Sequence, residues 1–366
     1  MIRIVHILTS FDVGGAEQLV LELCRRLPGD RFSAEVVAVV RGGPLEEEFR
    51  AAGIPTLVIG KTTKWGLDTI RRLQAHLETR RPDIVHTHLF GGDTWGRVAA
   101  LRAGIRCLVS TEHNVNVDEG IVKRCVKRVL ARRTARIVAV SDAVRMRSIR
   151  WDGIPARLLT VIPNGVDTDQ FHPMPGTPHA EFRLLTVGRL VPQKGHDILI
   201  DALATMRDQL PRVELDILGD GPCRAALEAQ VRAFRLQDRV HFLGIHRDLP
   251  QQYPTADCAV FPSRWEGFGI AAVEAMACGI PVLATRVDGL AEVVVHGVTG
   301  VLVPSNDPLA LAQAIRDLAH DRPRRLLLGA AGRRRAQECF DIRRVVDRYA
   351  ALYTELCSTY ARPARQ

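Results

Sequence analysis

Strand-like apolar runs alternate with helix-like segments twice along this chain, and a break rich in proline and glycine separates the two series. The break covers residues 162–178, IPNGVDTDQFHPMPGTP, which have no apolar periodicity. This alternation predicts parallel sheets with helices on both faces. Two such domains also suit a chain of 366 residues, which exceeds the usual size of a single core.

Each predicted domain has one edge at which ligands bind. In a doubly wound parallel sheet, the carboxyl ends of the strands open into a crevice that receives ligands. We expect an N-terminal Rossmann-like domain over residues 1–165 and a C-terminal one over residues 166–340, facing each other across a cleft. Such a cleft suits an enzyme that joins two substrates.

The segment SRWEGFGIAAVEAMACGIPVLAT carries the most specific pattern in the chain. Gly267 and Gly269 allow the backbone to approach a ligand closely, and a helix that starts near Gly269 offers free N–H groups to an anion. Glu274 lies about one turn into this helix among alanines, where a carboxylate needs polar partners such as sugar hydroxyls. Glu266 precedes Glu274 by eight positions.

This segment resembles the motif of the retaining GT-B glycosyltransferases of family 4, in which two such glutamates lie within E-G-F-G and E-A-x-A-x-G-x-P-V. The resemblance extends over nearly the whole chain. It implies that Glu274 binds the ribose hydroxyls of a nucleotide and that Glu266 holds hydroxyls of the donor sugar. The N–H groups of Phe268, Gly269 and Ile270 would meet the sugar or its diphosphate.

The loop VGRLVPQKGHD places two cations directly after a predicted strand. Departure of a nucleoside diphosphate builds negative charge on its β-phosphate, and without a metal ion, cationic side chains must stabilise that charge. Arg189 and Lys194, five positions apart, can do so from one side. In family 4 the matching arginine and lysine bind the diphosphate, so the resemblance gives this pair that role and implies neither a cofactor nor a metal.

Two residues of the N-terminal half complete the expected site. Gly14 and Gly15 form a turn between the first strand and the first helix, without the G-x-G-x-x-G dinucleotide fingerprint. The resemblance places Gly15 at the donor phosphate, and His113, in STEHN, near the sugar and the acceptor. It does not imply that His113 is a base, because in retaining enzymes of this class the leaving phosphate oxygen is thought to take the acceptor's proton.

Two loops of the C-terminal half, LGDGP and GIHRDLP, resemble the family's loops near the nucleotide base. Arg247 and Asp248 are therefore candidate contacts to the base. The loops do not indicate which base is bound.

Two short patterns resemble metal sites. Asp167-Thr168-Asp169 reads D-x-D, but it follows a turn in the predicted linker. His86 and His88 have the spacing of zinc ligands, but no third ligand lies nearby in sequence, and they follow a strand in a position from which they could line the cleft. We therefore expect no metal site.

The net charge of +9 is concentrated in one stretch of the N-terminal half. Residues 123–150 contain ten basic residues and one acidic residue, Asp142, whereas acids and bases balance over the rest of the chain. A basic surface attracts nucleic acid or an anionic membrane. GT-B enzymes with lipid-linked acceptors often dock on the membrane through a basic face of the N-terminal domain, so we expect a membrane surface and no nucleic acid; a solvated helix face is the alternative.

The chain has no apolar run of the roughly 18 residues that a membrane-spanning helix needs. Its first apolar segment, IRIVHIL, is short and lacks a cleavage site of the signal-peptide type. We expect a cytoplasmic protein, peripheral on the cytoplasmic face of the membrane.

Together these patterns predict a retaining, metal-independent hexosyltransferase. It would move a sugar from a UDP- or GDP-sugar to a glycan or lipid-linked saccharide, in the biosynthesis of cell-surface polysaccharide or glycolipid. The family also implies that the last helix, within residues 341–366, crosses back to the N-terminal domain.

Three alternatives remain open at this point. A sugar-nucleotide epimerase on the same fold would isomerise the donor without an acceptor. A non-catalytic protein that binds polyanions through residues 123–150 would function without Glu274. A nicotinamide dehydrogenase is disfavoured because the glycine fingerprint is missing.

Overall fold

The computed structural model describes residues 1–61, 66–115, 120–175, 181–207, 213–246 and 248–360. The chain divides into two compact units, Met1–Asn164 with Ile342–Gln366, and Gly165–Asp341. We call them the N-terminal unit and the C-terminal unit.

The N-terminal unit is built around a parallel sheet. Its strands are β1 (Ile2–Ser10), β2 (Phe32–Arg41), β3 (Thr56–Val58), β4 (Ile84–His88), β5 (Leu108–Glu112), β6 (Arg136–Ala139) and β7 (Leu159–Val161). They are ordered β3-β2-β1-β4-β5-β6-β7. The helices between them are α1 (Gly15–Arg26), α2 (Leu45–Ala51), α3 (Leu67–Arg80), α4 (Phe90–Arg102), α5 (Ile121–Ala131) and α6 (Asp142–Arg150).

The C-terminal unit repeats this architecture with six strands. They are β8 (Phe182–Val187), β9 (Val213–Leu218), β10 (Val240–Gly244), β11 (Cys258–Phe261), β12 (Val282–Thr285) and β13 (Gly300–Val303), in the order β10-β9-β8-β11-β12-β13. The helices are α7 (His196–Thr205), α8 (Arg224–Ala233), α9 (Leu249–Gln252), α10 (Ile270–Ala277), α11 (Asp288–Val293), α12 (Pro308–His320) and α13 (Arg322–Cys339).

Helix α14 (Ile342–Tyr360) belongs to the core of the N-terminal unit. Its buried residues recur with helical spacing, so one face is apolar along its whole length. That face packs with Ile4 of β1, Leu19 of α1 and Val109 of β5 in one hydrophobic cluster. The end of the chain therefore covers one face of the first sheet.

The central strands explain why the alternating pattern was readable. All residues of β4, β5, β11 and β12 are buried, as expected for strands covered by helices on both faces. The prediction of two α/β domains with doubly wound parallel sheets is confirmed. No helix among the described residues combines the length and the apolar character that crossing a bilayer requires.

The sequence did not predict α6, β7, α9, α11 or a separate helix α13. Helix α6 has the sequence DAVRMRSIR, which is too polar to show a clear apolar stripe. It depends instead on a capping hydrogen bond, because the Ser141 Oγ accepts from the Val144 N–H at 3.1 Å. Strand β7 and helix α11 are only three and six residues long, which leaves little periodicity to detect.

Candidate active site

Three loops at the carboxyl edge of the second sheet pack against one another through glycines. A Cβ at Gly219, after β9, would lie 1.9 Å from the Gly188 carbonyl oxygen, after β8. A Cβ at Gly195 would lie 2.1 Å from the Pro262 carbonyl oxygen, after β11. Because β8 lies between β9 and β11, these contacts gather the loops at the edge where parallel sheets bind ligands.

Lys194 and Glu266 meet at this edge. The Lys194 Nζ lies 2.5 Å from the Glu266 Oε2, and both side chains remain partly exposed. The Ser263 Oγ lies 3.4 Å from the same oxygen. The two loops that the sequence marked as phosphate-binding and sugar-binding are thus joined by an ion pair.

A second pair holds the same two loops together. Arg264 lies in the same loop as Glu266, and Asp197 lies in the first turn of α7. Arg264 donates to both carboxylate oxygens of Asp197, at 2.9 and 2.6 Å. Burial raises the pKa of the Asp197 carboxyl, but the hydrogen bonds and charge of Arg264, together with backbone N–H donors, lower it below its usual value. The Gln193 side chain also donates to the Trp265 carbonyl oxygen at 3.1 Å. These hydrogen bonds therefore fix the two loops that carry Lys194 and Glu266 relative to each other.

Gly269 sets the start of α10. Its φ of +94° lies in the left-handed region, and a Cβ there would lie 2.5 Å from the Leu290 Cδ2. This turn brings Glu266, Phe268 and Gly269 to the amino end of α10, whose first N–H groups have no partner within the helix. Phe268 itself is buried, with its ring 5.5 Å from that of Phe340, so only its backbone can face a ligand.

Glu274 lies in α10 with a single polar side-chain partner among the described residues. The buried Tyr253 hydroxyl donates to the Glu274 Oε2 at 2.8 Å. Burial raises the pKa of the Glu274 carboxyl to about 7, although the bond from Tyr253 and the charge of Lys194 act in the opposite direction. This carboxylate is therefore poorly solvated and short of donors, as a site for hydroxyl groups would be.

Two residues near this edge were missed in the sequence. Tyr253 precedes Glu274 by 21 positions, and no local spacing pairs them. The Asp288 Oδ2 accepts from the Glu266 N–H at 3.3 Å, and Asp288 has a φ of +33°. The Asp288-Gly289 pair, which two residues separate from the end of β12, was a usable turn signal, since Asp-Gly marks tight turns.

Arg189 and Arg247 are the other two cations that the sequence placed at the site. The Arg189 side chain is exposed and forms no ion pair with a carboxylate of the described residues. Arg189 therefore does not join the ion pair of Lys194 with Glu266. Arg247 lies outside the described residues, so its predicted contact with the base stays a prediction. Asp248 occupies the N-cap position of the short helix α9, without a capping hydrogen bond to its side chain.

In the N-terminal unit, Gly14 and Gly15 form the turn from β1 into α1. Gly14 is extended, and Gly15 is the first residue of the helix. A Cβ at Gly14 would lie 2.5 Å from the Oε2 of the buried Glu17. The turn thus leaves the amino end of α1 at the carboxyl edge of the first sheet.

His113 directly follows β5 at the same edge. Its Nε2 lies 3.2 Å from the Nδ1 of His88, the last residue of β4. Burial lowers the pKa of His113 to about 3, so its ring is neutral at physiological pH. His86 and His88 are themselves fully buried on β4, and the expectation that they face a ligand-binding surface is not met.

The basic stretch 123–150 is only in part a surface. Lys127 is buried, with its Nζ 3.0 Å from the Glu112 Oε2 and 3.8 Å from the Asp152 Oδ2. Arg136 pairs with Glu355 of α14 at 3.0 Å. The exposed members are Lys123, Arg128, Arg132, Arg133 and Arg150.

Two family models cover most of the chain. The model described as Glycosyltransferase Family 4 matches residues 13–170. The model described as Glycosyl transferases group 1 matches residues 167–335. A D-inositol 3-phosphate glycosyltransferase of Xylanimonas cellulosilytica is 32% identical, over 97% of this chain and 94% of that protein. The chain belongs to the group 1 glycosyltransferases.

Two further similarities concern another relative and a solved structure. A GDP-mannose-dependent alpha-(1-6)-phosphatidylinositol monomannoside mannosyltransferase of Mycobacterium tuberculosis is 32% identical, over 87% of this chain and 89% of that protein. The crystal structure of Anabaena HepE in complex with UDP-glucose superposes with a TM-score of 0.88 at 26% identity, over 97% of this chain and 100% of that one. The glycosyltransferase therefore has the GT-B fold.

These findings confirm the predicted family, fold and class of activity. They therefore favour glycosyl transfer over the dehydrogenase, epimerase and non-catalytic alternatives. The roles of Gly15, His113, Arg189, Lys194, Glu266 and Glu274 stay predictions.

Proposed function

We propose that this glycosyltransferase moves a hexose from a UDP- or GDP-sugar to a glycan or lipid-linked saccharide, with retention of anomeric configuration and without a metal ion. The observation that carries the proposal is the pairing of Lys194 with Glu266 beside the amino end of α10. It joins a cation, a carboxylate and free backbone N–H groups at one sheet edge. These groups suit a diphosphate attached to a sugar.

Glu274 is proposed to bind the ribose. Ribose hydroxyls can donate to a carboxylate that has one side-chain donor, Tyr253, in the described part of the chain and is otherwise poorly solvated. The similarity to HepE, whose crystal structure holds UDP-glucose, favours UDP. The mannosyltransferase relative is named GDP-mannose-dependent, which keeps GDP in the proposal.

The proposed reaction breaks the bond between the anomeric carbon and the β-phosphate oxygen, while the acceptor oxygen bonds to the same face of that carbon. The acceptor's proton goes to the leaving phosphate oxygen. Lys194 and Arg189 stabilise the charge on the departing diphosphate, and Glu266 fixes the Lys194 ammonium. Glu266 and His113 contact hydroxyls of the transferred sugar, and Gly15 offers its backbone to the phosphate.

Replacement of Lys194 tests this assignment. We expect Lys194→Met to lower kcat by about 10²- to 10³-fold, the usual cost of removing one donor to a developing oxyanion. Arg232→Met, which removes an exposed cation from α8, should leave kcat unchanged. Equal rates for the two variants would contradict the role of Lys194.

One reaction carried out in EDTA tests both the stereochemistry and the metal requirement. NMR of the product formed in EDTA should show the anomeric configuration of the donor at an undiminished rate. An inverted product, or a rate that EDTA abolishes and a divalent cation restores, would contradict the proposal.

We further propose that α5 docks on an anionic membrane surface at the cytoplasmic face, where a lipid-linked acceptor would lie. Ile121, Val122 and Val129 are 74%, 77% and 61% exposed, and they lie among the exposed cations Lys123 and Arg128. Apolar side chains next to basic ones are typical of helices that lie in the membrane interface.

Vesicle sedimentation tests this docking. Vesicles with anionic lipid should bind the protein, and neutral vesicles should not. Val122→Ser should weaken binding, whereas Leu309→Ser, at an apolar position of the C-terminal unit that is 66% exposed, should not. Equal binding to both kinds of vesicle, or equal effects of the two variants, would overturn it.

A further inference from the structure

Four histidines lie together where β1, β4 and β5 run side by side in the N-terminal unit. His6 and His86 are direct partners in the pairing of β1 with β4, and His88 follows on the same face. His6, His86 and His88 are each 0% exposed. Charged imidazoles at this density would repel one another, so the rings must be neutral.

The ring nitrogens form a chain that ends at His113. The His6 Nδ1 lies 3.1 Å from the His88 Nε2, and the His88 Nδ1 lies 3.2 Å from the His113 Nε2. The two outer nitrogens, His6 Nε2 and His113 Nδ1, are buried without a hydrogen-bond partner among the described residues. Burial lowers the pKa values of His6 and His113 to about 3, consistent with neutral rings.

A chain of neutral imidazoles can be protonated in only two ways. Each neutral ring has one donor and one acceptor nitrogen, so the tautomer of one ring fixes that of the next. In one arrangement every ring carries its proton on Nδ1, and the unpaired donor is the His113 Nδ1–H. In the other every ring carries it on Nε2, and the unpaired donor is the His6 Nε2–H.

The surroundings of the two ends decide between these arrangements. A buried donor without a partner is costly. His6 is fully buried in the sheet, with its ring 6.4 Å from that of Tyr353 in α14. The His113 Nδ1 is also buried, but His113 follows β5 at the carboxyl edge of the sheet, where a bound ligand can supply the acceptor that this nitrogen lacks. When a ligand is bound there, the lower free energy therefore belongs to the arrangement with the proton on the His113 Nδ1.

We propose that His88 and His6 are positioning residues that hold His113 as the Nδ1–H tautomer, so that His113 donates a hydrogen bond to an oxygen of the bound sugar. This inference rests on the proposed contact of His113 with the sugar. His88 orients the ring through its own Nδ1–H, and His6 fixes the tautomer of His88. Neither residue touches the substrate.

His86 supports the chain without belonging to it. Its two ring nitrogens lie 2.7 Å from the Tyr353 hydroxyl and 2.7 Å from the Thr111 Oγ1. Its ring centroid lies 4.0 Å from that of His88 and fixes the plane of that ring. The ligand nitrogens of His6, His86 and His88 lie within 4.8 Å of one another, which would also suit a metal ion. Because both nitrogens of His86 are already paired, the hydrogen-bonded chain is favoured over a metal site.

Imidazole ¹⁵N NMR of the full-length protein tests the proposal, with His113 assigned from a His113→Asn spectrum. With a sugar nucleotide bound, the wild type should show His113 protonated on Nδ1, whereas free histidine favours Nε2. His88→Leu should return His113 to the Nε2–H form and lower kcat/KM about tenfold, the effect of losing one well-placed hydrogen bond. His88→Asn should retain much of the Nδ1–H form of His113 and much of the kcat/KM, because the asparagine amide N–H can replace the Nδ1–H of His88.

Several outcomes would overturn the proposal. They are a wild-type His113 protonated on Nε2, a tautomer unchanged in His88→Leu, an unchanged kcat/KM in that variant, and one equivalent of bound zinc with metal-shifted ring nitrogens. His320→Leu, at an exposed position on α12, should change neither readout. Thermal stabilisation by UDP or GDP should persist in His88→Leu, so a failure of nucleotide binding would be recognised separately. If the protein transferred no sugar, the tautomer measurement would still decide whether the chain exists.

Discussion

At the scale of single residues, Glu274 is the side chain whose chemistry depends most on the fold. On an exposed helix its carboxyl would be ionised at neutral pH, but here burial brings its pKa to about 7. Its one side-chain donor among the residues that the structure describes, Tyr253, precedes it by 21 positions. A ligand that brings hydroxyl donors would stabilise the ionised form and lower this pKa.

This pKa predicts how donor affinity depends on pH. Between pH 6 and pH 8 the Glu274 carboxyl loses its proton, so its capacity to accept hydrogen bonds rises. We expect the affinity for a sugar nucleotide to increase over this range, with proton release on binding. Isothermal titration calorimetry in buffers of different ionisation enthalpy measures both quantities.

Two variants make this prediction specific. Glu274→Gln cannot titrate, so its weaker binding should be nearly independent of pH, whereas Glu338→Gln on α13 should behave like the wild type. A sugar nucleotide is the right probe because its diphosphate does not titrate near neutral pH. An affinity that falls from pH 6 to pH 8 in the wild type would contradict the assignment.

At the scale of elements, α10 can begin where it does only because residue 269 is a glycine. The left-handed backbone and the 2.5 Å approach to the buried Leu290 side chain both disfavour a side chain at this position. The same turn sets the positions of Glu266 and the free amides. A substitution at Gly269 should therefore lower both the stability of the C-terminal unit and its affinity for the ligand.

We expect Gly269→Ala to destabilise the C-terminal unit by about 2–4 kcal/mol, from backbone strain together with the clash. Gly297→Ala is the matched control, because Gly297 has a similar φ of +76° but open space around it. It should cost only the strain, about 1–2 kcal/mol. Urea unfolding followed by hydrogen exchange compares them, and equal costs would show that contact with Leu290 is unimportant.

Strands β1 and β4 carry buried histidines, so the N-terminal unit should be sensitive to acid. The pKa of His6 is lowered by burial to about 3, and those of His86 and His88 are lowered by burial and neighbouring imidazoles. Below about pH 6.5 the unfolded chain binds protons that the folded chain does not, so stability falls as pH falls. Each histidine contributes about 1.4 kcal/mol per pH unit within that window.

Removing one of these groups should reduce this dependence by one proton. The slope of unfolding free energy against pH between 5 and 6 should be smaller in His6→Gln than in the wild type and unchanged in the exposed His320→Gln. Hydrogen exchange in β1 and β4 reports on this unit. A slope unaffected by His6→Gln would mean that His6 is not neutral in the folded state.

At the scale of the whole molecule, the sequence predicted what depends on periodicity and on contiguous motifs. Both sheets, most helices and the segment from Glu266 to Glu274 were readable because their signals are local. The partner of Glu274, the burial of Lys127 and the contact between His88 and His113 join segments far apart in the chain. No local pattern predicts such pairings, since strand order and packing create them.

The C-terminal unit is proposed to bind a nucleoside diphosphate through Glu274. Thermal unfolding in EDTA with UDP or GDP tests it most directly, since a ligand at a hundred times its Kd adds about 2.7 kcal/mol of stability. We predict that one of these nucleotides raises the Tm of the wild type and of Glu338→Gln, and that Glu274→Gln loses most of this shift. No shift with either nucleotide, or an equal shift in Glu274→Gln, would contradict the claim.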